Sequence, residues 1–179
     1  MKKIYCLILL IFVSTSLLSC TKQFELSETD INYIFLPEDI SELDLSDYRV
    51  KPLKNNKDYF FTKSSNDLGF YSLYHIYFVN SQDNEFDVQT NLSIQNDEQN
   101  ANELFKTLAK HFKDAIELDP TEYNSDKVLL KVDENSFDIL LKKSNLVYEV
   151  NISGANISIA QVKTGLLNKI NYISNNKID

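Results

Sequence analysis

Side chains that commonly do chemistry are sparse in this chain. Its two histidines are His75 and His111, and neither has a second histidine or a carboxylate at the spacing of a zinc motif. Acidic residues alternate over Asp83–Asp87 as they do at the start of a calcium-binding loop, but Val88 stands where such a loop requires glycine. The sequence therefore predicts neither a metal site nor a bound cofactor.

The two cysteines belong to the most specific signal in the sequence. Two lysines precede an uncharged apolar run, Ile4–Val13, and the small polar residues Ser14–Ser16 follow it. This order is typical of an export signal, and the run is shorter than the roughly 20 residues that a membrane-spanning helix needs. Because Cys6 lies within the run, we expect it to leave with the signal and to form no disulfide in the mature protein.

The residues after this run resemble the lipobox of bacterial lipoproteins. They are Leu17, Leu18, Ser19 and Cys20: an aliphatic residue, a variable one, a small one and then cysteine. The resemblance covers the first twenty residues. It implies cleavage between Ser19 and Cys20, a diacylglyceryl thioether on Cys20 and, usually, a third acyl chain, which together anchor a protein stably to a membrane. In enterobacterial lipoproteins, an aspartate after the lipidated cysteine marks retention in the inner membrane, so Thr21 at this position implies the outer membrane if the host is such a bacterium. The alternative to a lipoprotein is a plain secreted protein with a chance cysteine near the cleavage site.

The charge balance argues against nucleic acid as a partner. The chain has 26 acidic and 18 basic residues and a net charge of −8, whereas nucleic-acid binding needs a basic face. An acidic chain is not attracted to anionic lipid headgroups either, so we expect membrane contact through the lipid alone.

The hydrophobic content of 43% is enough for a packed domain. We predict a signal over residues 1–19, a lipidated cysteine and short tether over 20–30, and one domain over 31–179.

Hydrophobic periodicity predicts the elements of that domain. Alternating or β-branched runs predict strands at Asp58–Thr62, Phe70–Val79, Phe86–Gln95, Val128–Val132, Phe137–Leu141 and Leu146–Ile152. Apolar stripes with a 3.6-residue period predict one helix from Asp97 to Ile116 and another from Ser158 to Ile173. Short polar turns between strands favour antiparallel pairing. The expected fold is therefore α+β, with a mostly antiparallel sheet and two amphipathic helices on one face.

The hairpin over Phe70–Gln95 carries a candidate binding face. If Phe78 pairs with Phe86, one row of the sheet holds the following residues: Tyr71, Leu73, His75, Tyr77, Asp87 and Gln89. Tyrosines beside polar groups are typical of protein-binding surfaces. The alternative is that Ile31–Leu36 covers this row, and a pairing shift of one residue would invert the two faces.

These observations favour a membrane-anchored, non-enzymatic protein of the cell envelope that binds a protein partner. No serine lies in a G-x-S-x-G elbow and the chain has only three glycines, so we expect no catalytic residue. A small-ligand or cation carrier with a pocket between sheet and helices is the first alternative. The second is a hydrolase of envelope polymers, because paired carboxylates meet in space and leave no sequence motif.

Overall fold

The computed structural model describes residues 26–46, 48–50, 58–66, 69–80, 85–154 and 157–176. The predicted signal, Ser19 and Cys20 lie outside these ranges. Within them, no helix is both long enough and apolar enough to span a bilayer.

Eight antiparallel strands form one sheet, in the order β1-β3-β4-β8-β7-β6-β5, with β2 also paired to β3. The strands are β1 (Tyr48–Val50), β2 (Tyr59–Asn66), β3 (Gly69–Asn80), β4 (Glu85–Gln95), β5 (Ile116–Glu117), β6 (Lys127–Asp133), β7 (Ser136–Lys143) and β8 (Leu146–Ser153). The helices are α1 (Glu28–Ile31), α2 (Glu98–Ala109) and α3 (Ile159–Asn175), with 3-10 turns at Pro37–Asp39 and Pro120–Tyr123. The predicted α+β fold with an antiparallel sheet is confirmed.

The register of the central hairpin is the one that the candidate binding face requires. Phe78 pairs with Phe86, and His75 pairs with Gln89. Strand β4 then pairs with β8, so that the hairpin joins the second half of the sheet through Gln89 and Asn151. The strict alternation in β4 fixes this register, since a shift by one residue would expose every apolar side chain of its buried row.

One face of the sheet, the α3 face, carries the larger core. Alternate residues of four strands are buried on it: Phe86, Val88 and Leu92 of β4, Tyr148, Val150 and Ile152 of β8, Phe137, Ile139 and Leu141 of β7, and Val128 and Leu130 of β6. Helix α3 covers them with Val162, Leu166, Ile170 and Ile173, which recur at helical spacing.

Helix α2 covers the opposite face, the α2 face. Its Ala101 and Phe105 pack with Leu140 of β7 and Val147 of β8. The expectation that both helices share one face is therefore wrong. The reason lies in β7 and β8, whose apolar residues follow one another without alternation, so that both faces of these strands need cover.

The first long helix is also shorter than predicted. It ends at Ala109, whereas the apolar stripe continues to Ile116. The chain reverses at Asp114, which has a φ of 64°, and Ile116 then enters the short edge strand β5 with 62% of its surface exposed. Ile116 therefore contributes to an edge strand and not to the helical stripe.

Residues 26–40, here called the N-terminal strap, pack across the α3 face. The hydroxyl of Tyr148 donates to the carbonyl of Tyr33 at 2.9 Å, and the hydroxyl of Thr90 donates to that of Phe35 at 2.9 Å. The predicted tether over residues 20–30 is therefore too long, because Asp30 is already buried in the folded domain.

Two ion pairs hold the strap at its ends. The Asp30 carboxylate accepts hydrogen bonds from the backbone and hydroxyl of Ser27 and pairs with Lys63 of β2 at 3.1 Å. At the other end, Lys169 of α3 pairs with Asp39 at 3.1 Å and donates to the carbonyl of Ile31 at 3.0 Å. The strap is thereby tied to the sheet edge and to the last helix.

Gly165 allows α3 to approach the strap closely, and Gly165→Ala should destabilise the fold. A Cβ there would lie 2.5 Å from the backbone oxygen of Asp39 and 2.9 Å from the ring of Phe35. Alanine gains about 1 kcal/mol in helix propensity, but overpacking against backbone costs about 1–3 kcal/mol. We expect urea unfolding to show a net loss of about 1 kcal/mol, and the exposed Thr164→Ala control to stay within about 0.5 kcal/mol of the wild type. A Gly165→Ala protein more stable than the wild type would mean that the strap moves away from α3 to accommodate the methyl group.

Asp30→Asn should weaken the fold at pH 7 and flatten its acid dependence. Burial would raise the pKa of Asp30, but hydrogen bonds from Ser27 and the pairing with Lys63 outweigh burial and lower it. Its stabilisation is therefore complete above the ordinary carboxyl pKa and is lost as the pH falls through the native pKa. We expect a loss of about 1–2 kcal/mol at pH 7, since the half-exposed Lys63 is screened by solvent.

The measurement is urea unfolding of wild type and Asp30→Asn between pH 7 and pH 3. Glu28→Gln, at an exposed position of the same helix, is the matched control and should follow the wild type. A variant whose unfolding free energy falls with acid as steeply as that of the wild type would contradict the assignment.

Candidate functional site

A polar cleft lies on the α2 face, where the chain turns after the end of helix α2. Its volume is about 290 Å³. Strand residues form its floor: Gln89 and Asn91 of β4, Glu149 and Asn151 of β8, Asp138 of β7 and Lys131 of β6. His111 and Phe112, from the turn that follows the helix, line it on the helix side.

The floor of the cleft consists of two neighbouring rows of the sheet. Strand pairing places one row side by side on four strands, namely Gln89, Asn151, Asp138 and Lys131, and the other on two strands, namely Asn91 and Glu149. In β8, the polar positions 149 and 151 alternate with the buried Tyr148, Val150 and Ile152. The same period of two that buries the α3 face therefore sets the polar floor of the cleft.

Two amide–carboxylate pairs order the floor. The Asn91 amide donates to Glu149 Oε2 at 2.8 Å, and the Asn151 amide donates to Asp138 Oδ1. Each carboxylate thereby keeps its second oxygen, Asp138 Oδ2 or Glu149 Oε1, without a hydrogen bond from any residue that the structure describes. The side chains of Gln89 and His111 likewise have no hydrogen-bond partner in the described part of the chain. These groups are available to a ligand.

The cleft carries net negative charge. Lys131 is the cation at its floor, and it is held at 2.5 Å by Asp133 on the same strand. This hydrogen bond with Asp133 raises the pKa of Lys131, so the lysine stays protonated at neutral pH. In the next row, the hydroxyl of Ser153 donates to Asp87. With Asp133 paired to Lys131, the carboxylates of Asp138 and Glu149 leave the cleft with net negative charge.

The sequence-predicted binding face maps only partly onto this cleft. Gln89 lines it, and Asp87 lies in the adjoining row. The backbone pairs the four β3 positions with β4 as predicted: Tyr71 with Ser93, Leu73 with Asn91, His75 with Gln89 and Tyr77 with Asp87. The side chains of these four residues lie outside what the structure describes.

The proposed cover for this row is wrong. Ile31–Leu36 was the alternative occupant, but the strap packs on the α3 face, with Phe35 in the main core and Ile34 against Phe61. The β4 members of the row belong to the other face, because they alternate with the buried Val88 and Leu92.

Sequence reasoning missed the half of the site that β6, β7 and β8 provide. Lys131, Asp138, Glu149 and Asn151 are far from the hairpin in sequence and meet it only through the pairing of β4 with β8. The readable signal was the pair of polar residues inside the otherwise apolar β8. The predicted helix over Asp97–Ile116 includes His111, at the border of its buried face, whereas the structure places His111 exposed in the turn after α2.

The described residues contain no group of three or more histidine, cysteine or acidic side chains that could hold a metal ion. Comparison with family models, curated proteins and solved structures finds no match to the chain. The cleft and the lipobox residues are therefore the observations from which a function can be argued.

Proposed function

We propose that this protein is a bacterial lipoprotein, anchored through Cys20 to a membrane of the cell envelope, that binds a protein partner of the envelope without catalysing a reaction. The anchor is supported by the lipobox-like residues Leu17, Leu18, Ser19 and Cys20. The observation that carries the binding role is the concave polar cleft beside α2, whose floor has hydrogen-bonding groups without partners among the described residues. A solvated sheet face needs no such concavity.

The position of the strap is compatible with this role. Five residues separate Cys20 from Leu26, and an extended chain spans at most about 3.5 Å per residue. A lipid on Cys20 would therefore keep Leu26 within about 20 Å of the membrane. Because the strap lies on the α3 face and the cleft on the α2 face, this tether leaves the cleft accessible to a partner.

A small-ligand carrier is the second candidate, favoured by the site of the cleft between the sheet and the end of α2. A hydrolase would need paired carboxylates, and Asp138 and Glu149 do occupy diagonal positions on neighbouring strands. Both already accept a hydrogen bond from an asparagine amide, which favours positioning a ligand over transferring a proton. We therefore place binding ahead of catalysis.

The anchor predicts a defined mature N-terminus. Mass spectrometry of the membrane-fraction protein should find a chain that begins at Cys20 and carries the mass of acyl chains. In Cys20→Ala, the acyl mass should be absent and the protein should appear in the soluble fraction, because the lipid is what holds the wild type to the bilayer. Ser19→Ala, which keeps a small residue before the cysteine, is the matched control. An unmodified Cys20 in the wild type would contradict the anchor.

The binding role predicts site-selective crosslinking. Gln89→Cys would place a thiol in the cleft of a mature chain whose one other cysteine is acylated, and a benzophenone maleimide would then report neighbours in the intact envelope. We expect a protein adduct of discrete mass. The control is Asn168→Cys on the exposed side of α3, where we expect none. Identical adducts from the two positions, or none from Gln89→Cys, would overturn a protein partner at the cleft.

A further inference from the structure

We infer that the cleft receives the guanidinium group of an arginine side chain on the partner protein. This inference deepens the proposed function and rests on it. It names one chemical group as the ligand of the cleft floor. Three properties of the cleft support it: its charge, its free acceptor atoms and its size.

Charge is the first argument. Asp138 and Glu149 line the floor beside Lys131, which pairs with Asp133 at 2.5 Å, so three carboxylates surround one described lysine. A partner group that brings positive charge would be attracted, whereas a carboxylate or phosphate would meet two fixed negative charges. Attraction is strongest where water is partly excluded, and both acidic side chains are half-buried.

The arrangement of acceptors is the second argument. Asp138 Oδ2 and Glu149 Oε1 accept no hydrogen bond from the described residues, and the side-chain oxygen of Gln89 lies in the same row as Asp138. Asp138 and Glu149 stand diagonally on neighbouring strands, and both side chains line the same cleft. Guanidinium presents five donors in a planar fork, which can serve several acceptors at once.

The order already present in the floor is the third argument. Asn91 and Asn151 hold Glu149 and Asp138 in place before any ligand arrives. Binding then costs less side-chain entropy, since the acceptors need not be immobilised. An arginine head group is also more weakly hydrated than an ammonium, which suits a partly enclosed cleft better than lysine does.

The size of the cleft limits the occupant. A volume of about 290 Å³ accepts one long side chain and excludes a folded segment. A bare divalent cation is a poorer fit, because the described residues offer no group of three acidic or histidine ligands. Arginine is also among the residues that most often carry the binding energy of protein interfaces.

The test is an NMR titration of the acylated full-length protein in detergent. The probe is the tripeptide acetyl-Gly-Arg-Gly-amide, compared with the same peptide in which uncharged citrulline, nearly isosteric with arginine, replaces it. We expect the arginine peptide to shift the side-chain amide signals of Gln89, Asn91 and Asn151 and to bind at least about tenfold more tightly than the citrulline peptide. Binding should weaken as salt is added.

Conservative variants assign the effect to the cleft. Asp138→Asn and Glu149→Gln should each raise the dissociation constant about tenfold, because each replaces a charged acceptor by a neutral one. Glu103→Gln, at an exposed position of α2 outside the cleft, is the matched control and should leave it unchanged. Unshifted signals elsewhere in each spectrum will show that the variants are folded.

The outcomes separate this inference from the function on which it rests. Equal binding of the two peptides, no binding, or unchanged binding in both variants would overturn the guanidinium site. If Gln89→Cys nevertheless gives a discrete protein adduct, the binding role stands and the partner uses another group. If arginine binds and no adduct forms, the cleft serves a free basic ligand, which overturns the protein partner and supports the carrier.

Discussion

Burial of β7 and β8 on both faces is the constraint on which the rest of the structure depends. Ile139 and Leu141 point to the α3 face while Leu140 between them points to the α2 face, and Val147 repeats this pattern in β8. Strands of this kind cannot lie at a solvated surface, so each face must receive a helix. The opposite placement of α2 and α3 follows directly.

The α3 face has a further requirement, because its core contains two hydroxyl groups. Tyr148 and Thr90 are fully buried and would each lose a hydrogen bond without a protein acceptor. The strap supplies these acceptors through the carbonyls of Tyr33 and Phe35, which lie two residues apart. Burial raises the pKa of Tyr148 well above its ordinary value, so its hydroxyl stays a donor. The polar atoms of the core thereby fix the register of the strap.

Sequence patterns predicted what depends on neighbours in the chain. The alternation of β4 is local, and it predicts which of its residues share a face, as the observed pairing with β3 bears out. An apolar stripe shows that α2 has one buried side, but it does not show which face of the sheet that side meets. The sequence predicts a tether up to residue 30, and it does not show that Asp30 pairs with Lys63, which lies 33 residues away.

The cleft exists because α2 is shorter than the strands it covers. Its start is fixed by the Asp97 cap and by the buried Lys142, which pairs with Glu98 at 3.1 Å and with Asp126 at 2.9 Å. Twelve residues of helix reach about 18 Å, and the last of them is Ala109.

Beyond that point the α2 face of β7 and β8 changes from apolar to polar. Leu140 and Val147 pack under the helix, whereas Asp138 and Asn151 line the cleft outside it. An apolar residue at these positions would be left exposed. The strands therefore carry polar residues from the point at which the helix ends. The floor is continuous across four strands because the polar positions are in register, which local patterning alone does not require. Helix α2 ends at Ala109, and His111 and Phe112 of the following turn line the floor that the helix leaves open.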